Sequence, residues 1–261
     1  MIRKLTIALA LAGLAGTASA ADEKGAMDTG FLQKSIEVHG QAERYVVYVP
    51  EGYDAAQSWP LIVFLHGAGE RGDDGTAQTT AGIGPAIQAH PERFPAIVLM
   101  PQCPKEADWN TAHDMLNAQL EATRGAFNID EKRIYLTGLS MGGYGTWLWG
   151  AIKTDTFAAL MPICGGGDPE DIQQLLKVGG GNPYGSLASR LRALATIPIW
   201  AFHGGADDVV PPDRSRTMVE AVKARGGTIR YTEYEGVGHN SWDAAYGDPE
   251  AIAWLLAQRK D

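Results

Sequence analysis

The sequence predicts a single doubly wound α/β domain on a mostly parallel sheet of about eight strands. Three observations lead there. Short apolar runs rich in branched residues recur along the 261 residues. Most are apolar on both faces, as strands buried inside a parallel sheet must be. Helical patterns separate them, and strands alternating with helices build this class of fold. Hydrophobic content is 45% and charged content 20%, enough apolar material for one full core. No internal repeat or long linker divides the chain.

The elements follow in order. "FLQKSIEV" and "RYVVYVP" read as an antiparallel strand pair turning at His39-Gly40. The later strand runs are "PLIVFLH" (60–66), "AIVLMPQ" (96–102), "RIYLTGL" (133–139), "FAALMPIC" (157–164), "IPIWAFH" (197–203) and "TIRYTEYE" (228–235). "NTAHDMLNAQLEATRGAF" reads as a helix with Asn110 as its cap. "GGYGTWLWGAI" can begin another. "RSRTMVEAVKARGG" ends at paired glycines, as helices do, with Asp213 expected to cap it. "DPEAIAWLLAQRK" carries Pro249 in its first turn. The segment 168–195 exceeds a minimal crossover. It is either a small cap beside the site or a crossover helix with a decorated loop, the crossover being preferred.

The first twenty residues, "MIRKLTIALALAGLAGTASA", pair Arg3 and Lys4 with a short apolar stretch and end in Ala18-Ser19-Ala20. That is the layout of a secretory signal peptide cut after Ala20, leaving an exported α/β domain over 21–261, periplasmic or secreted. The net charge of −9, with no basic run, fits neither a nucleic acid nor an anionic membrane surface. Cys103 and Cys164 each follow an apolar run and a proline. In an oxidising compartment they either pair or stay two buried thiols.

"RIYLTGLSMGGYGTWLWG" holds the chemistry. Ser140 stands where strand passes to helix, with Gly138 and Gly142 two residues to either side. So sharp a turn strains the central residue and brings backbones together where only glycine fits. It lifts the hydroxyl above the carboxyl edge of the sheet, over a helix amino terminus that favours negative charge. This is the Gly-x-Ser-x-Gly nucleophile elbow.

A serine needs a base, and the base needs an acid. Of six histidines, His239 follows the last strand in the loop "EGVGHNSW", where this arrangement puts its base. His66 and His203 end strands before glycine and read as loop-orienting residues. "AFHGGADDVVPPDRS" offers Asp207 and Asp208 as the acid, with Asp207 preferred for its place directly after the turn. The oxyanion needs two amide donors, assigned to Met141 and to Ala68 in "FLHGAGERGDDG". Trp109 and Trp242 either line the substrate cleft or pack. Glu70 and Arg71 flank the oxyanion loop and either bind a polar substrate or, preferably, pair with each other. No metal or organic cofactor is called for, since no ligand-spaced histidines or cysteines and no phosphate-binding loop occur.

Taken together, "HGAGERG", "PQCP" followed by Trp109, "GLSMGGYGTW", "MPICGGGDP", "HGGADDVVP" and "GHNSWDAAY" resemble the α/β-hydrolase superfamily over essentially the whole mature chain. Specifically they resemble small secreted esterases and predicted peptidases of the dienelactone-hydrolase and prolyl-oligopeptidase-like branch. The resemblance implies Ser140, Asp207 and His239 as the catalytic triad, in that chain order. It departs from the shortest relatives at 168–195. The expected function is hydrolysis of carboxylic esters through an acyl-enzyme, on acetylated or feruloylated carbohydrate or other small esters. A serine peptidase is the alternative, and an inactive exported binding protein a third reading. The acyl and alcohol groups and the oligomeric state are not legible.

Overall fold

The computed structural model describes residues 28–167 and 187–261. The expected leader, and most of the segment 168–195, lie outside the described residues. Eight strands form one sheet: β1 (Gly30–Val38), β2 (Gln41–Val49), β3 (Trp59–Leu65), β4 (Ile97–Pro101), β5 (Ile129–Leu139), β6 (Ala159–Ile163), β7 (Ile199–Gly204) and β8 (Ile229–Tyr234). Their spatial order is β1-β2-β4-β3-β5-β6-β7-β8. The β1–β2 and β2–β4 pairs are antiparallel and every later pair is parallel. His39 and Gly40 make the opening hairpin turn with φ of 50° and 76°.

The described helices are α1 (Ile83–Ala89), α2 (His113–Ala126), α3 (Met141–Ile152), α4 (Leu187–Leu194), α5 (Asp213–Lys223), α6 (Trp242–Gly247) and α7 (Pro249–Ala257). One face of the sheet carries a core of Val63, Leu65, Leu99, Leu136 and Leu160 packed with Leu116 and Leu120 of α2 and Trp147 of α3. The other carries Ile62, Phe64, Val98, Met161 and Phe202 packed with Ile87 of α1, Tyr246 of α6 and Ile252 of α7. Consecutive strand residues enter opposite cores, which is why these runs are apolar on both faces. Among the described residues, no helix is long and apolar enough to cross a membrane.

Helix ends depart from the expectations in two places. Asn110 does not cap α2. The Asp108 carboxylate instead accepts from the Asn110 and Thr111 amides, closing a turn that delays the helix to His113. Asp213 does not cap α5; Pro212 holds that position, and the Asp213 carboxylate accepts from Arg216. At α7, Asp248 caps by accepting from Glu250 N–H, and Pro249 follows in the first turn.

The thiols are separate and fully buried. Cys103 follows β4 and Cys164 follows β6. Three strand spacings lie between those strands, about 14 Å, twice the roughly 7 Å that a disulfide tolerates between Cα atoms.

Candidate active site

Strand β5 ends at Leu139 and α3 begins at Met141, so one residue makes the whole turn. Ser140 has φ 52° and ψ −117°, a region a side chain enters only under constraint, at a cost of about 1–3 kcal/mol. The constraint is visible. Ser140 N–H donates to Ile163 O of β6 at 3.0 Å, and Ser140 O accepts from Tyr144 N–H of α3 at 3.1 Å. A Cβ on Gly142 would strike the Leu65 carbonyl of β3, and one on Gly138 the Gly142 backbone. Only glycine lets the turn close this tightly.

The loop after β7 supplies Asp207 and the loop after β8 supplies His239. Backbone bonds tie the two loops: Gly205 N–H to Tyr234 O at 2.8 Å and Ala206 N–H to Val237 O at 2.9 Å. The side chains then form a chain. Ser140 Oγ lies 2.9 Å from His239 Nε2. His239 Nδ1 lies 2.8 Å from Asp207 Oδ2. An ionised carboxylate only accepts, so Nδ1 carries the ring proton and Nε2 is free to accept from the serine. Burial alone would raise the Asp207 pKa. Hydrogen bonds from His239 and from the Val210 and Val209 amides outweigh it and hold the carboxyl below its usual range. Asp208, the other candidate acid, is exposed.

Met141 and Ala68 each open a helical turn, where the amide has no intrahelical acceptor. Ala68 belongs to the loop after β3, whose placement His66 and Gln102 determine. Buried His66 donates from Nδ1 to Gly67 O at 2.6 Å, and its Nε2 accepts Cys103 N–H at 2.9 Å. Gln102 accepts from Gly75 N–H and donates to Glu70 O and Asp74.

The dienelactone hydrolase family model matches residues 44–247, most of the chain. The chain belongs to the dienelactone hydrolase family. A solved thermostable esterase is 36% identical and superposes with a TM-score of 0.74, covering 88% of this chain and 63% of that chain. Poly(3-hydroxyalkanoate) depolymerase C of Paucimonas lemoignei is 29% identical over 46% of this chain and 30% of its own length. The probable feruloyl esterase C of Aspergillus terreus is 27% identical over 47% of this chain and 46% of its own. The chain thus spans less than two thirds of the length of each of these three relatives.

The structure decides between packing and cleft lining for Trp109 and corrects the expected Glu70–Arg71 pair. Trp109 lines no cleft: it is 1% exposed, packs edge-on against His66, and donates from Nε1 to His66 O at 2.9 Å. Its indole braces the loop after β3 from within the core. Glu70 and Arg71 form no ion pair, because Arg71 turns to the Ala68 and Ala107 carbonyls. Glu70 Oε2 is buried without a partner, 4.0 Å from His66 Nδ1. Trp242 is half-buried and meets the His239 ring edge-on at 5.4 Å between centroids. Sequence reasoning missed α6, which carries Trp242 and is anchored by Tyr246. The Tyr246 hydroxyl lies 2.9 Å from Thr137 Oγ1 of β5, and Thr137 donates to Met161 O. That contact ties the segment after His239 to the strand that presents Ser140.

The state of His66 gives a measurable consequence for stability. Burial lowers its pKa from 6.5 to about 4, against the pull of its bond to Gly67. Between those values the unfolded chain binds a proton that the folded chain refuses. Stability therefore falls as pH drops from about 6.5 to 4, by up to roughly 3 kcal/mol from this group. Urea unfolding at pH 7 and pH 4.5 is expected to show a lower midpoint at the acid pH, and His66→Gln a smaller difference. A difference that His66→Gln leaves intact contradicts the assignment.

Proposed function

We propose that the chain is a serine carboxylic-ester hydrolase that works through an acyl-enzyme. The observation that carries this reading is the Ser140–His239–Asp207 chain, with contacts of 2.9 and 2.8 Å at a strained strand-to-helix turn. His239 Nε2 takes the Ser140 proton as the hydroxyl oxygen attacks the ester carbonyl. Asp207 keeps the ring in the accepting tautomer and stabilises the imidazolium. The Met141 and Ala68 amides receive the oxyanion, which needs donors already in place when its charge develops. His239 then protonates the leaving alcohol, and later activates the water that releases the acid.

For substrate, we propose esters of acetylated or feruloylated carbohydrate or related small esters. Support comes from the family, from likeness to the thermostable esterase, and from the 27% identical probable feruloyl esterase. Half-buried Trp242, against His239, gives an aromatic surface suited to sugar or aryl groups. Glu70 beside the oxyanion loop gives an acceptor for a substrate hydroxyl. Acetyl-to-octanoyl nitrophenyl esters, methyl ferulate and a peptide anilide test the reading together. The expected result is turnover of at least one ester with anilide cleavage far slower. Anilide cleavage rivalling the best ester overturns it in favour of a peptidase.

Export belongs to the same proposal. Residues 1–20 have the composition of a cleavable leader. Amino-terminal sequencing of the protein recovered outside the cytoplasm is expected to start at Ala21. A chain that starts at Met1 there contradicts it.

A further inference from the structure

Asp207 holds more than His239. Its Oδ1 accepts from the Val209 and Val210 amides at 3.0 and 2.9 Å. Its Oδ2 accepts from His239 and also lies 3.2 Å from Nε2 of a second histidine, His203. The His203 and Asp207 side chains are both fully buried. His203 sits near the end of β7, so a rigid strand aims its ring at the carboxylate.

The protons around His203 can be assigned. Its Nε2 faces only acceptors, the Asp207 carboxylate and Val210 O at 2.9 Å, so Nε2 carries hydrogen. Its Nδ1 lies 2.7 Å from Ser215 Oγ of α5, whose hydroxyl donates to Gly165 O at 2.7 Å. That hydroxyl locks the ring against rotation. Burial lowers the His203 pKa, against the upward pull of Val210 O and Asp207. Few other charges face it. Glu233, its register partner on β8, is already closed by Arg216 and Tyr231. The buried Cys164 thiol, at the end of β6, is pushed up to about 12 and stays neutral.

We propose that His203 is a positioning residue of the triad: its Nε2–H, shared with Val210 O, also reaches the Asp207 oxygen that holds His239, fixing the carboxylate and tempering the basicity of His239. The proposal rests on the triad reading above. A second donor on Oδ2 spreads the charge of the Asp207 anion. The anion then stabilises the His239 imidazolium less than a carboxylate with one imidazole donor would. Two amides on Oδ1, and on Oδ2 the His239 ring with the shared His203 N–H, hold the carboxylate against rotation away from His239.

The test is the pH profile of kcat/KM for wild type, His203→Phe and His203→Gln on the best ester, each checked for folding. The acid limb reports the free enzyme's base. His203→Phe is expected to move that limb upward by about 0.5–1 unit and lower kcat about tenfold, with KM nearly unchanged. His203→Gln, whose amide N–H reaches the Nε2 position, is expected to restore most of both. An unmoved limb in folded His203→Phe overturns the proposal, as does a Gln variant no better than Phe. A second measurement needs no variant. Nitrogen-15 NMR of the wild-type histidine rings is expected to show hydrogen on His203 Nε2 from about pH 5 to 8; a ring with hydrogen on Nδ1 alone in that range overturns it. Failure of the triad reading is separate: it appears as ester turnover that survives Ser140→Ala, which leaves the state of the His203 ring untouched.

Discussion

Replacing Ser140 with alanine is expected to lower kcat for ester hydrolysis by about 10⁵-fold or more, with the fold intact. The hydroxyl is the only group in the chain of 2.9 and 2.8 Å contacts that can form the acyl bond. His239 and Asp207 have nothing to activate without it. Stability should change by no more than about 1 kcal/mol, because alanine meets the same positive φ that serine already bears. Steady-state kinetics and a thermal melt on the same preparation check both halves. A loss below a hundredfold in the folded variant would mean that another nucleophile does the work.

Asp207→Asn is expected to cost about 10⁴-fold in kcat at neutral pH. The direction follows from the donors around the carboxylate. Val209 and Val210 amides point at Oδ1, so the asparagine oxygen settles there. Its NH₂ then occupies the Oδ2 position and donates to His239 Nδ1. The imidazole must carry its proton on Nε2, aimed at Ser140, and cannot accept one. The same NH₂ faces the Nε2–H of His203, donor against donor, so a stability loss accompanies the kinetic one. Asp208→Asn, at an exposed neighbour, serves as the control and is expected to stay within twofold of wild type. Equal losses at the two positions would remove Asp207 from the acid role.

Much of this was legible in the sequence because the chemistry imposes local signatures. Strands buried on both faces must be apolar runs, and six of the eight strands, β2 to β7, carry a largely buried stretch of that kind. The elbow is legible because backbone crowding at Gly138 and Gly142 admits no side chain. Ser140 and His239 are 99 residues apart, yet each stands in the first loop after its strand, and the parallel sheet brings such loops to one edge.

What escaped depends on geometry that no local pattern encodes. Helix α1, "IGPAIQA", carries a glycine and a proline, so its composition argues against a helix that packing at Ile83 and Ile87 nonetheless secures. The start of α2 slipped from Asn110 to His113 because the Asp108 carboxylate takes the turn amides first. Trp109 stood open between cleft lining and packing because it sits in a loop at the right edge. Only the three-dimensional arrangement shows its indole turned inward onto His66. His203 was legible as a loop-orienting histidine, but its bond to the acid depends on a ring orientation that Ser215, twelve residues later, determines.

Direct trapping of the acyl-enzyme tests the central claim. The protein would be mixed briefly with nitrophenyl acetate, quenched in acid, digested and read by mass spectrometry. The account predicts one acetyl group per chain, carried by Ser140, and none on Ser140→Ala. Ester turnover with no acetylated Ser140, or with the acetyl group on another residue, would contradict it.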